Sequence, residues 1–350
     1  MIYRRRALVL LASALLTVWA ALGCDSGTGG GQEVWRFAIE EIEGSVQHAY
    51  ATHFKSLVEQ RTKGTVSVSV YPYGSLGTSA QLTEQVQSGA IQLAFASPGH
   101  LGSVIPEVQV FALHFLLSDD EAVNQKILSR RDAPYRRLLD EAYRDYHLDL
   151  LAIVPEGWMV WTADRPLRTP EDFAGLKIRT MVSPLLVEAY AAYGAKPTPM
   201  PYSEVYGGLQ LGMIDAQVNP VFAIEEMSFY EVQDYMVFAH HAPFISTVVA
   251  SPTFVDGLSA ERRALLDEVL AEMDEYISET QRQFNSERLD EILSEGGTEV
   301  ITLDDAQRQA FRSLSLPVRE SYVEMAGPRG RQILESLESA VREAGTAPDS

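Results

Sequence analysis

Gly175-Leu-Lys-Ile-Arg-Thr-Met181 is followed at short intervals by Gly194-Ala-Lys-Pro-Thr-Pro-Met200, Ser203-Glu-Val-Tyr206, Leu209-Gln210 and Ile214-Asp-Ala-Gln-Val-Asn-Pro220. The first block alternates in the manner of a strand. Successive strand side chains face opposite ways, so Lys177 and Arg179 share one face and Leu176 and Ile178 the other. From Phe173 to Glu261 the only further basic residue is Lys196, amid many carboxylates. An arginine so isolated presents a planar fork that matches a carboxylate with two parallel hydrogen bonds. Spacing alone leaves two readings open: an anion clamp, or a surface ion pair that would contribute little.

Working outward, Val34 to Ile39 reads as a first strand, Gln47 to Arg61 as a helix and Thr65 to Tyr71 as an alternating half-buried strand. A turn-rich loop follows at Pro72 to Gly77, then a short helix from Ser79 to Ser88 and a buried strand from Ile91 to Ala96. Leu148 to Val154, Trp158 to Thr162 and Gly175 to Thr180 read as further strands, Pro184 to Tyr193 and Tyr202 to Leu211 as helices, and Ile214 to Gln217 as strand-like. Strand and helix in alternation predict an α/β fold with parallel pairing. Ligands of open α/β sheets sit beyond the carboxyl ends of strands, which makes the turns after Ile39 and Ala96 candidate pocket walls. From Ser259 to Glu295 there is neither Gly nor Pro. A helix of about 37 residues would be roughly 55 Å long. A coiled coil is one reading of it, and a spine packed across two domains is the other. Two shorter helices near Asp304–Ser315 and Pro317–Ala344 complete the chain.

The chain has 350 residues, 28 Lys+Arg against 48 Asp+Glu, a net charge of −20 and one cysteine. The length suits two domains. The acidity argues against nucleic acid, whose binders neutralise phosphates with clustered Lys and Arg. A lone cysteine excludes an internal disulfide and a multi-cysteine metal site. None of the seven histidines lies in HExxH or a zinc pattern. His240-His241 could offer one ligand each, yet neighbours on a strand face opposite ways. No GxSxG elbow, phosphate loop or GxGxxG after a strand is present. No metal and no cofactor are expected. An extracytoplasmic enzyme using paired carboxylates such as Glu40/Glu41 or Glu225/Glu226 stays open as an alternative, as does a ligand-binding sensor.

Residues 1–24 open with Arg4, Arg5 and Arg6, continue with an apolar run from Ala7 to Leu22 and end in Ala21-Leu22-Gly23-Cys24. The basic start and short apolar run are a secretory signal pattern. The last four residues resemble a bacterial lipobox, which implies that Cys24 becomes the lipidated first residue of the mature chain. Cleavage there would remove three arginines and no acid, taking the net charge to −23. Residues 25–33, rich in Gly, read as a flexible tether.

The five ordered motifs quoted at the outset resemble the core signature of the periplasmic solute-binding proteins of TRAP transporters, the tripartite ATP-independent type. That resemblance implies a two-lobed Venus-flytrap fold, with residues 34–156 plus 245–284 in one lobe, 157–244 plus 285–346 in the other, and the long helix bridging both. It implies a monomer that captures a small organic carboxylate outside the cytoplasm and hands it to membrane permease subunits, without covalent chemistry. With Cys24 lipidated, the protein would be anchored to the cytoplasmic membrane. The family's carboxylate-binding arginine falls on Arg179 and its pocket asparagine on Asn219. Met159 stands where many members carry a second arginine, which points to a monocarboxylate. Trp35-Arg-Phe-Ala-Ile-Glu-Glu-Ile-Glu-Gly44, Ser97-Pro-Gly99, Pro155-Glu-Gly157, Thr162-Ala-Asp164 and Glu204-Val-Tyr-Gly-Gly-Leu-Gln210 are similar to the ectoine-binding branch. That likeness assigns Glu41 to a ligand cation, so a zwitterion is the expected ligand. Tyr202, Phe244, His100 and Trp158 are the expected wall, since aromatic faces attract cations within about 6 Å. A solvated loop acid is the other reading of Glu41, and plain core aromatics the other reading of Tyr202 and Phe244.

Overall fold

A computed structural model describes residues 32–346. Cys24, its lipidation, the signal segment and most of the tether lie outside the described residues. The strands are β1 (Glu33–Ala38), β2 (Val66–Tyr71), β3 (Leu93–Ala96), β4 (Asp149–Trp158), β5 (Val160–Ala163), β6 (Lys177–Thr180), β7 (Lys196–Pro199), β8 (Ala216–Asn219), β9 (Tyr235–Phe238), β10 (Pro243–Ala250) and β11 (Glu299–Thr302). They form two sheets, ordered β2-β1-β3-β10-β4 and β11-β9-β5-β8-β6-β7.

Each sheet is a parallel core with an antiparallel intrusion. In the first, β1 and β3 run parallel, with Phe37 opposite Leu93, while β10 runs antiparallel to β3 and β4. In the second, β6 lies parallel to β7 and β8, and β5 runs antiparallel to β8 and β9. β7, β9, β10 and β11 are strands that the alternation of the sequence does not announce. β7 is Lys-Pro-Thr-Pro, and prolines sit in a sheet only where an edge leaves their missing N–H unneeded. It is an edge strand here.

Ser259 to Glu295 is one helix, Ala260–Glu295, capped by the Ser259 side chain accepting from the Arg262 N–H. Val269, Leu270, Met273 and Ile277 pack into the core of the first sheet, and Ile292 into a cluster of the second with Val160 and Met236. Burying each aliphatic contributes about 1.5–3 kcal/mol. The helix therefore bridges the two sheets and is no coiled coil. Asn285, between those contact zones, donates through Nδ2 to the Glu156 carbonyl at 2.9 Å and accepts at Oδ1 from the Phe222 N–H at 3.3 Å.

Two features depart from the element reading. The last helix, Val318–Thr346, carries a break at Gly327, whose φ is +65°, ahead of Pro328. Grouped above with residues 157–244, it docks on residues of the 34–156 span: Tyr322 Oη donates to the Glu107 carbonyl, and Ser336 Oγ accepts from the Tyr135 N–H. Among the described residues no helix is long and apolar enough to cross a membrane.

Candidate functional site

The carboxyl ends of β1 and β3 face those of β6 and β8 across a cavity of about 290 Å³. The first sheet supplies Glu40, Glu41, Ser97 and Phe244, with His100 from the turn beyond β3 and Tyr73 from the loop after β2. The second supplies Arg179, Met181, Tyr202 and Asn219. The two walls approach closely at one rim, where a Cβ on Gly99 would lie 2.4 Å from Met181 Sδ and the methionine would have to move. Across the other, the Ile42 N–H donates to Glu226 Oε1 at 3.0 Å.

Position along β6, on one shared face, separates its two bases by environment. Lys177 is half-exposed and pairs with Asp215 at 3.2 Å. Arg179, two residues on, is 1% exposed. Its Nε donates to the Met200 carbonyl at 3.1 Å, and among the described residues no carboxylate pairs with it. Burial lowers its pKa to about 10. A guanidinium oriented by one backbone acceptor, with its remaining donors unpaired by the protein, is an anion receptor. Asn219 ends β8 in a polar file: its Nδ2 donates to Gln217 Oε1, Gln217 Nε2 to Thr162 Oγ1 at 3.0 Å, and Thr162 to Gln233 at 3.1 Å. The file fixes the amide toward the cavity.

Glu41 is 6% exposed, which rules out the solvated loop acid. Its Oε2 accepts from the Gln47 N–H at 3.1 Å. Burial, and then the neighbouring Glu156 carboxyl, holds its pKa well above 4.5. Glu40 differs. Burial opposes its charge, but the facing His100 and hydrogen bonds from His100, Ser79 and Ser97 prevail and lower its pKa. His100 Nδ1 lies 3.3 Å from Glu40 Oε1 and 2.8 Å from Ser97 Oγ. Burial, reinforced by Glu41, pushes Glu226 up to about 9. Tyr202 donates to the Ala223 carbonyl at 3.3 Å and meets the Tyr73 ring edge-on at 6.3 Å.

Six of the seven residues expected from the sequence thus meet in one cavity: Arg179, Asn219, Glu41, Tyr202, Phe244 and His100. Trp158 does not, and its assignment to the wall is corrected. Phe244 lines the cavity opposite Gly157, while Trp158 lies opposite Pro243, one residue along and so on the other face. There its indole stacks on His240 at 5.0 Å and 11°. The same strand hides the residue that sequence reading missed. Between Phe244 and Ile245 the β4 partner jumps from Gly157 to Pro155, so Glu156 is the extra residue of a β-bulge. Bulges re-aim a side chain, and this one turns Glu156 inward, fully buried, beside Glu41. Its place between Pro155 and Gly157 was the available signal. Gln47 and Tyr73 were also missed; both belong to segments whose partners lie far along the chain.

Among the described residues no group of three or more His, Cys, Asp or Glu is placed to hold a metal ion. His241 instead hydrogen-bonds Tyr190 at 3.2 Å inside the core.

Residues 37–325 match the family described as bacterial extracellular solute-binding protein, family 7 (DctP). The ectoine-binding periplasmic protein TeaA of Halomonas elongata is 39% identical over 309 residues, spanning 88% of this chain and 90% of that one. The ectoine/5-hydroxyectoine-binding periplasmic protein UehA of Ruegeria pomeroyi is 37% identical over 321 residues, spanning 91% and 94%. A TRAP periplasmic solute-binding protein of Marinobacter aquaeolei, solved in an apo open form, matches with a TM-score of 0.83 at 47% identity, covering 87% of this chain and 99% of that one. These relatives bind solutes for transporters, and this chain is likewise a binding protein and not an enzyme. The chain belongs to family 7 of the bacterial extracellular solute-binding proteins, as the periplasmic solute-binding subunit of a TRAP transporter.

Proposed function

We propose that the ligand is a small zwitterionic monocarboxylate, ectoine or a compound of similar charge layout. The observation that carries this reading is a buried arginine without an acid partner facing a cavity whose other wall is acidic. Arg179 clamps the carboxylate with its fork, Asn219 supports it, and Glu41 receives the cation. Tyr202, Phe244 and His100 close the sides, and the two lobes close over the ligand. The ectoine-binding names of two relatives support the ligand class. At the N-terminus we propose that Cys24 is lipidated and tethers the protein to the cytoplasmic membrane. Mass spectrometry of the mature N-terminus tests this: an unmodified cysteine ends it.

A thermal-shift screen over compatible solutes, amino acids, 2-oxo acids and aromatic acids, starting with ectoine, identifies the ligand. A ligand at 100 times its Kd adds about 2.7 kcal/mol of stability. Glu41→Gln then separates the ligand classes by calorimetry. Loss of one charged hydrogen-bond partner, about 1.5–3 kcal/mol, weakens a zwitterion roughly 10- to 100-fold and leaves a simple acid unchanged. Equal effects on both would remove Glu41 from the cation's seat.

A further inference from the structure

This inference rests on the reading of Glu41 as the seat of a ligand cation. Behind Glu41 stands Glu156, which does not line the cavity and is 0% exposed. One glutamine holds both acids. The Gln47 N–H donates to Glu41 Oε2 at 3.1 Å, and Gln47 Nε2 donates to Glu156 Oε1 at 3.2 Å. The two carboxyls are thereby neighbours, gathered by the same residue. Glu156 Oε2 is buried and has no partner.

The surroundings supply no counter-ion. Glu40 faces the pair with its charge committed to His100. Glu226 approaches from the second sheet, with a buried oxygen that also lacks a partner. Tyr202 is neutral, held so by burial and by these acids. Arg288, the cation that acts on Glu226, pairs with Glu225 and Glu291. Arg179 pairs with no acid. Two neighbouring carboxylates away from water cannot both stay ionised without a cation between or beside them. A proton is the smallest partner that satisfies both, because a protonated carboxyl donates where an ionised one can only accept. Burial raises Glu156 to about 7 and Glu41 also lies high, in agreement with the geometry.

We propose that Glu41 and Glu156 hold one proton between their carboxyls while the cavity is empty, and that a ligand cation seated against Glu41 displaces it. The carboxyl O–H bond breaks, the proton passes to a buffer base, and both acids remain as carboxylates around the arriving positive charge. The exchange is charge-neutral within the site, so the buried acids never stand uncompensated. It favours ligands whose positive charge is delocalised or permanent, since these cannot reprotonate the pair themselves. It also makes Glu156 a positioning residue: it sets the charge of Glu41 without touching the ligand.

Two readouts on the purified protein and its Glu156→Gln variant test this. The first is the protonated-carboxyl band in the infrared spectrum of the ligand-free protein at pH 6.5. The difference between wild type and variant should contain such a band, with the Glu226 contribution cancelling. The second is calorimetric titration with ectoine in buffers of different ionisation heat. The wild type should release close to one proton per ectoine, and Glu156→Gln close to none. Ectoine affinity should rise by up to about tenfold per pH unit as pH climbs toward the point where the empty pair ionises, and level off above it. Absence of the difference band overturns the inference whatever ligand binds. Ectoine bound with buffer-independent heat overturns it too, and leaves the zwitterion reading intact. Failure of ectoine to bind counts against that reading alone, and the infrared band then decides the shared proton.

Discussion

The two ends of the cavity meet the same difficulty, a buried charge, with opposite economies. At one end Arg179 is oriented by a single carbonyl, and among the described residues no acid pairs with it. At the other, Glu41 is crowded by Glu156 and Glu226, and Glu40 beside them faces the His100 ring. A guanidinium cannot shed its charge, so its end stays open for a ligand anion. Carboxyls can take up protons, so theirs can be quiet when empty and charged when filled. The difference teaches that an unliganded receptor need not be symmetrical in cost: the permanent charge fixes affinity, and the titratable cluster sets conditions for it.

The sharpest way to break this contrast is at Arg179. Removing two charge-assisted hydrogen bonds of roughly 1.5–3 kcal/mol each should weaken ligand at least about 100-fold in Arg179→Ala, measured by calorimetry. Arg179→Lys keeps a charge but loses the fork, and should sit between alanine and wild type. A structural role predicts something else, a fall in ligand-free melting temperature. Because the buried guanidinium has no acid partner, its removal should leave that temperature unchanged or raise it. Unchanged affinity in Arg179→Ala would end the assignment.

How far these ends were legible in the sequence follows from the same contrast. Arg179 was legible because it is scarce, one of three bases over nearly ninety residues, on a strand whose alternation is intact. Asn219 came through the family resemblance. Seven of the eleven strands and the length of the long helix were equally plain, since each rests on local periodicity, while its bridging of two sheets came through the family resemblance. The acidic end was only half legible. Glu41 came through a family resemblance, and Glu156 stayed hidden because a bulge aims it, and the flanking Pro155 and Gly157 do not say which way the side chain turns. Gln47, which holds the two acids together, lies 109 positions from Glu156. β10 hid for a related reason: it is buried on both faces, so its apolar run shows no period of two.

The acidic end can be probed by pH without any ligand. Glu226 has its pKa raised from 4.5 to about 9, by burial first and by Glu41 second. In the folded state it keeps a proton that the unfolded chain releases near 4.5. Its contribution is therefore fully present below that value and is lost as pH climbs toward 9. Glu226→Gln keeps an acceptor for the Ile42 N–H and removes the titration. The two proteins should melt together near pH 4.5, and the variant should gain steadily above it. The gain is bounded by about 1.4 kcal/mol per pH unit for one proton, and solvent near this partly exposed group reduces it. A gap that stays constant from pH 5 to 9 would show that Glu226 ionises freely.

The smallest expected effect is at Trp158, and it checks whether the wall of the cavity has been drawn correctly. Sequence pattern placed this indole beside the ligand; the register of β4 against β10 places it on the far face, stacked on His240. An aromatic pair of this kind contributes about 0.5–1.5 kcal/mol beyond its buried area. Trp158→Ala should accordingly lower the melting temperature while ligand affinity stays within about twofold. His240→Ala should lower the melting temperature by a similar amount, and the double variant by less than the sum, since the two rings share one contact. Phe244→Ala, one residue across the register, should do the reverse and cost affinity first. If Trp158→Ala instead weakened ligand tenfold, the bulge at Glu156 would have to sit elsewhere in the liganded protein, and the acidic end would be a different surface when filled.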